Sequence, residues 1–199
     1  MVPEVRQAAH VYQGSIYSLL QRSAGTSKFS CFVVAITSPH SQSGVSYLTN
    51  LLVDSLNRDD PGRAIAVDCR TESGITRLDE QLGLQIYQDG SNRPVKTTTG
   101  LWRSSPNYRH DYIQELRSRY SYIAIDCPPI SESSEVLSLS DVVDGIVSVV
   151  EANRTTKSQI SYLERTVAQS GGRLLGHVLN KRTYLIPEWL HNRMESMGI

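Results

Sequence analysis

The sequence predicts an α/β fold: a doubly wound, mainly parallel sheet with helices on both faces, in three layers. Three observations predict it. Short apolar, β-branched runs recur along the chain, segments of helical periodicity lie between them, and two of the runs end on an aspartate. The chain has 199 residues, 39% of them hydrophobic, which suits one domain over residues 1–199 with a single sizeable core.

Residues 4–22 carry Val5, Ala8, Ala9, Tyr12, Ile16 and Leu19 at helical spacing. They predict a leading helix, packed on the domain or on a partner. "FSCFVVAIT" (29–37) reads as a strand covered on both faces, and "VSYLTNLLVDSL" (45–56) as the amphipathic helix that follows it. "RAIAVDC" (63–69) is the second strand. Residues 85–108 hold Gly, Pro, Ser and Asn without periodicity and predict a long loop, with Trp102 either an exposed anchor or packed on its own domain. "YRHDYIQELRSRY" (108–120) reads as a helix, and "YSYIAIDC" (120–127) and "DGIVSVVEA" (144–152) as strands. "TKSQISYLERTVAQSGG" (156–172) is a helix closing on a Gly-Gly stop, and "RLLGHVLN" (173–180) is the last strand. A terminal helix is expected at about 187–197, with Pro187 in its first turn and Trp189 and Leu190 as anchors.

Charge and composition exclude some function classes. Twenty basic and twenty acidic residues sum to zero, so no overall field favours nucleic acid or an anionic membrane. No stretch approaches the roughly 18 apolar residues of a membrane span, so the chain is expected to be soluble and cytoplasmic. Cys31, Cys69 and Cys127 sit in apolar runs without metal-ligand spacing and read as buried, reduced thiols.

In such a sheet the informative residues stand where strands stop. The first strand runs into Ser38, Pro39, His40, Ser41, Gln42, Ser43, Gly44, Val45 and Ser46, the layout of a phosphate-binding loop. Its backbone N–H groups and the helix N-terminus suit an anion. Phosphoryl transfer needs a lysine as well, and the position after Gly44 holds Val45. Losing one such charge-stabilising group costs roughly 3–4 kcal/mol in the transition state. Asp68 ends "AIAVD" and Asp126 ends "YIAID" at the ligand edge, where paired acids hold magnesium or accept a proton; capping the following turns is the alternative. Ser46 offers a hydroxyl for the same metal. His40 reads as a phosphate contact or as a solvated loop histidine.

The distal half resembles a known family. Residues 112–181 carry "DCPP", "DVVDG", "TT" and "GHVLN" in the order typical of the bacterial tyrosine kinases (BY-kinases), which are related to the partition-type P-loop ATPases. Residues 33–70 match in layout. The resemblance implies a P-loop NTPase-like fold and a role in capsule or exopolysaccharide biosynthesis or export, beside the cytoplasmic part of a membrane co-polymerase or chain-length protein. It implies ATP or ADP at Ser38, Gly44, Val45, Ser46 and Asn180, the last near the adenine, with magnesium at Ser46, Asp68 and Asp126.

The departures are specific. Val45 stands where the family has its loop lysine, Tyr47 follows Ser46 where Ser or Thr is usual, and Arg70 stands where the second motif has another acid. "YQGSIYS" lacks the charges of the family's ring-assembly pattern, and the last tyrosine is Tyr184, so the tail has no acceptor cluster. These losses predict a pseudo-enzyme, monomeric or dimeric, that binds a partner and holds nucleotide weakly or not at all. The rival reading is an active autokinase or ATPase whose cation has moved to Arg70, Lys157 or Lys181, with Asp68 and Asp126 as catalytic candidates.

Overall fold

A computed structural model of the chain describes residues 31–59, 62–69 and 106–182, together with strands at Arg77–Asp79, Leu84–Gln88 and Pro94–Thr97. The order is β1 (Phe32–Thr37), α1 (Val45–Asp59), β2 (Ala64–Asp68), β3 (Arg77–Asp79), β4 (Leu84–Gln88), β5 (Pro94–Thr97), α2 (Pro106–Arg119), β6 (Tyr122–Asp126), α3 (Glu135–Ser138), β7 (Gly145–Glu151), α4 (Lys157–Gln169) and β8 (Leu174–Asn180). All of these strands join one sheet, in the order β3-β4-β5-β2-β6-β1-β7-β8. The six from β5 to β8 run parallel, and β4 and β3 extend the sheet antiparallel beyond β5.

Apolar residues on both alternate sets of β1 require cover on both faces, and all six of its residues are buried. One face carries Phe32, Val34, Ile36, Ala64, Ala66, Ala124, Val147 and Val149 against Val45, Leu48, Leu52 and Leu56 of α1. Each fully buried leucine there contributes roughly 1.5–3 kcal/mol. The other face carries Val33, Ala35, Ile65, Val67, Ile123, Ile125 and Ile146 against Ile113 and Leu116 of α2, Val136 of α3, and Leu163 and Val167 of α4. The chain is therefore a three-layer, doubly wound α/β protein, as its sequence predicts.

Local contacts set the joints. Asn57 closes α1 onto β2 by donating to Ala64 O at 2.9 Å while accepting from Ala64 N at 2.7 Å. Thr156 caps α4 in a reciprocal box with Gln159, and Gly172 N reaches back to Val167 O at 3.0 Å at the expected Gly-Gly stop.

The "DVVDG" segment is a structural joint. Asp144 accepts from Val33 N at 2.7 Å and from Arg117 Nη2 at 2.9 Å, and Arg117 Nη1 donates to Cys31 O at 2.7 Å. The guanidinium is 8% exposed and its carboxylate 16%. Asp141 pairs with Arg109 at 3.6 Å. Gly145 starts β7 against the Leu175 side chain of β8, which a Cβ there would have to displace.

One expectation is corrected. Residues 85–108 do not form a loop throughout, because they hold most of β4, all of β5 and the start of α2. "LQIYQ" and "PVKT" are short and half polar, and their strands come from backbone pairing to each other and of β5 to β2. Pro94 fits as the first residue of its strand. The leading helix, the terminal helix, Arg70, Trp102 and Tyr184 lie outside the described residues.

Replacing Arg117 with Met leaves the Asp144 carboxylate buried without its cation, which should cost about 3–5 kcal/mol. Urea denaturation should show this as a lower midpoint with an unchanged slope.

Candidate functional site

The register of the sheet brings the two strand-end acids together. Asp68 of β2 and Asp126 of β6 are direct partners across the parallel pair, and Ile36 of β1 partners Asp126 on its other side. Register partners in parallel strands present their side chains to the same face. Here it is the α1 face, since Ala64, Ala66, Ala124 and Ile36 all pack there. Asp126 is 5% exposed, and Asp68 is partly exposed at the rim. The acids thus sit side by side next to the loop that leaves β1.

That loop, Ser38–Gly44, is tied at both ends. Thr37 Oγ1 donates to Pro128 O at 2.8 Å and Ile130 N donates to Ser38 O at 2.9 Å, so the "DCPP" segment fastens the loop's start. Ser38 and Ser43 both donate to His40 O, at 2.7 and 2.8 Å. The Ser38 hydroxyl is therefore turned onto the loop's own backbone. Gln42 and Gly44 adopt left-handed backbone, with φ of 62° and 92°. A Cβ on Gly44 would lie 2.2 Å from Asn180 Nδ2, so both conformation and space demand glycine.

The far end of the sheet closes on the loop. Asn180 Nδ2 donates to Ser43 O at 2.8 Å while its carbonyl oxygen accepts from Lys181 N at 2.8 Å. Lys181 Nζ donates to Gln42 O at 2.6 Å and to Glu151 Oε1 at 3.3 Å. Arg154 Nη1 donates to Glu151 Oε2 at 3.2 Å. Partial desolvation raises the Glu151 carboxyl, but the hydrogen bond and charge of Lys181, with those of Arg154, outweigh it and hold the group below its ordinary 4.5.

His40 completes the tie. The ring is buried, with Nδ1 3.0 Å from Ser41 O and Nε2 2.9 Å from Thr155 Oγ1. Glu151 N donates to Thr155 Oγ1 at 2.9 Å, so the hydroxyl joins the end of β7 to the His40 ring. His40 is thus not a solvated loop residue.

Val45 occupies the first position of α1 and is 6% exposed, packed into the α1 core. Ser46 follows, partly buried. The acids and the loop backbone fit magnesium and a polyphosphate, but the position that would supply the loop's cation is part of the hydrophobic core. Neither alternative cation in the described residues lies free beside the loop: Lys181 is held on a loop carbonyl and Glu151, and Lys157 is exposed at the start of α4. Among the described residues, the loop position after Gly44 supplies no positive charge to the site, since Val45 stands there.

No family model matches the chain. A tyrosine-protein kinase CpsD of Streptococcus agalactiae is 31% identical over 120 residues, covering 60% of this chain and 48% of that protein. A putative tyrosine-protein kinase CapB of Staphylococcus aureus is 34% identical over 67 residues, 34% of this chain and 29% of that protein. The chain is a relative of the bacterial tyrosine kinases. In the matched region it spans about half or less of the length of these two kinases. The VpsO kinase domain superposes with a TM-score of 0.69 at 22% identity, covering 90% of this chain and 98% of that domain, which shows that the two share a fold.

Sequence reasoning placed Asp68, Asp126 and the loop at one edge, and the structure brings them together. It missed the tie of His40 to Thr155 and of Lys181 to Gln42. The signal was present in "TT" and in the lysine after "VLN", but those residues are about 115 and 139 positions from their partners.

Gln42→Gly should stabilise the BY-kinase relative by about 1 kcal/mol, because the left-handed backbone then carries no Cβ penalty. Gly44→Ala should cost at least about 2 kcal/mol through strain and overlap with Asn180. Thermal unfolding of the two variants checks both signs. Lys181→Met should lower Tm at pH 7. The folded Glu151 carboxyl is depressed, so its stabilisation is complete above the unfolded value and is lost as pH falls through the folded one. The Tm difference should therefore shrink as pH drops below 4.5.

Proposed function

We propose that this chain is a single-domain BY-kinase-like protein of bacterial capsule or exopolysaccharide biosynthesis or export that has lost phosphoryl transfer. It works by binding the cytoplasmic part of a membrane co-polymerase, as a monomer or dimer in the cytoplasm, peripheral to the inner membrane through that partner. Kinship with CpsD and CapB supports the family part of this reading. Among the described residues no helix is long and apolar enough to cross a membrane.

The observation that carries the loss of catalysis is the burial of Val45 in the α1 core. A valine there cannot neutralise charge on transferred phosphate oxygens. The loop also draws its order from the chain itself, through Asn180, Lys181 and the His40–Thr155 bond. A loop ordered in this way needs no nucleotide to hold its shape, which suits a binding module.

The juxtaposition of Asp68 and Asp126 favours a second reading, an ATP-dependent tyrosine autokinase or ATPase with magnesium on the two acids and Ser46. Its cation would have to come from elsewhere, Arg70 or a released Lys181 among the candidates.

Calorimetric titration with ATP and ADP, with and without magnesium, separates the two. The proposed reading expects no micromolar binding and no magnesium-dependent ATP turnover in the native chain. Micromolar binding with turnover abolished in Asp126→Asn would establish the enzyme instead. Val45→Lys, read in the same titration, reports whether the rest of the site still accepts nucleotide once the charge is restored.

A further inference from the structure

Immediately behind the two acids lies a pair of thiols that neither reading uses. Cys69 follows Asp68 and Cys127 follows Asp126, so the register that pairs the acids carries the two cysteines side by side one residue beyond the ends of β2 and β6. Strands alternate, so the thiols point to the opposite face from the acids, into the core under α2, α3 and α4. Both residues are 0% exposed and unbridged. The Cys127 thiol donates to Ile125 O at 3.8 Å. The backbone around them is held, with Cys69 N on Asp126 O at 3.0 Å and Cys127 N on Ile36 O at 2.9 Å.

We propose that Cys69 and Cys127 are a redox-convertible dithiol, closing an interstrand disulfide that links β2 to β6 directly behind Asp68 and Asp126. Register partners in neighbouring strands are about 4.8 Å apart. A disulfide spans Cα separations of roughly 4.4–6.8 Å, so closure needs side-chain rotation with little strand movement. Both thiols are fully buried, so the pair reacts through local opening of the strand ends, which makes oxidation slow and gated.

The oxidant is a low-molecular-weight disulfide such as oxidised glutathione. One cysteine loses its proton and attacks a glutathione sulfur, releasing one reduced glutathione and leaving a mixed disulfide. The second cysteine then displaces the bound glutathione. In sum, two protein thiols and one oxidised glutathione become one protein disulfide and two reduced glutathiones. The bridge encloses residues 70–126 and couples the two strands that carry the acids.

The test uses the native chain, folded and below its unfolding temperature, equilibrated with oxidised glutathione and quenched with acid. The expected product is lighter by about 2 Da, yields a single linked peptide joining Cys69 to Cys127, and reverts with dithiothreitol. Its Tm should rise by roughly 5–10 °C, because the bridge restricts a long loop of the unfolded chain. Persistent mixed disulfides at either cysteine, linkage through Cys31, or no modification while the urea-unfolded chain oxidises would each overturn the proposal.

Discussion

The structure depends on how β1 and β7 are set against each other, and one half-buried carboxylate, that of Asp144, sets them. Asp144 accepts the Val33 amide while its own amide donates to Val33 O at 2.8 Å, and Arg117 locks the arrangement from α2. From that point the ladder runs upward through Val34–Gly145 to Thr37–Ser148. A slip by one residue would turn every side chain of one strand to the other face. The same register decides what meets at the ligand edge, since His40 leaves the end of β1 and Thr155 the end of β7. An ion pair at the bottom of the sheet thus governs a hydrogen bond at the top.

At that top edge, the chain supplies internally much of what a bound nucleotide would supply to a phosphate loop. A loop with two left-handed residues and no regular structure is costly to order. Serine hydroxyls bond its own backbone, the Asn180 amide and Lys181 ammonium bond its outward carbonyls, and the His40 ring reaches across to Thr155. Val45 adds apolar packing at the start of α1. The consequence is a loop held by its own chain beside two strand-end carboxylates.

Legibility in the sequence followed the kind of force involved. The parallel strands β1, β2, β6 and β7 were readable because each is apolar on both sides, a pattern that burial on two faces imposes. Strands β4 and β5 were not, because "LQIYQ" and "PVKT" owe their form to backbone pairing, which leaves little trace in side-chain pattern. Asp68 and Asp126 were readable as site candidates because a strand delivers its last residue to a known edge. The role of "DVVDG" as a joint was not, since nothing local shows that Asp144 faces Arg117 27 positions earlier.

Composition and periodicity by themselves determined the three-layer α/β class, the alternation of elements, the loop after β1 and the absence of a lysine within it. These are properties of short windows, and hydrophobic periodicity and residue identity report them directly. Only the tertiary structure decided that Val45 belongs to the core, that His40 is buried against Thr155, and that Asn180 and Lys181 brace the loop. Those outcomes depend on strand order and register, which bring residues more than a hundred positions apart within hydrogen-bond distance.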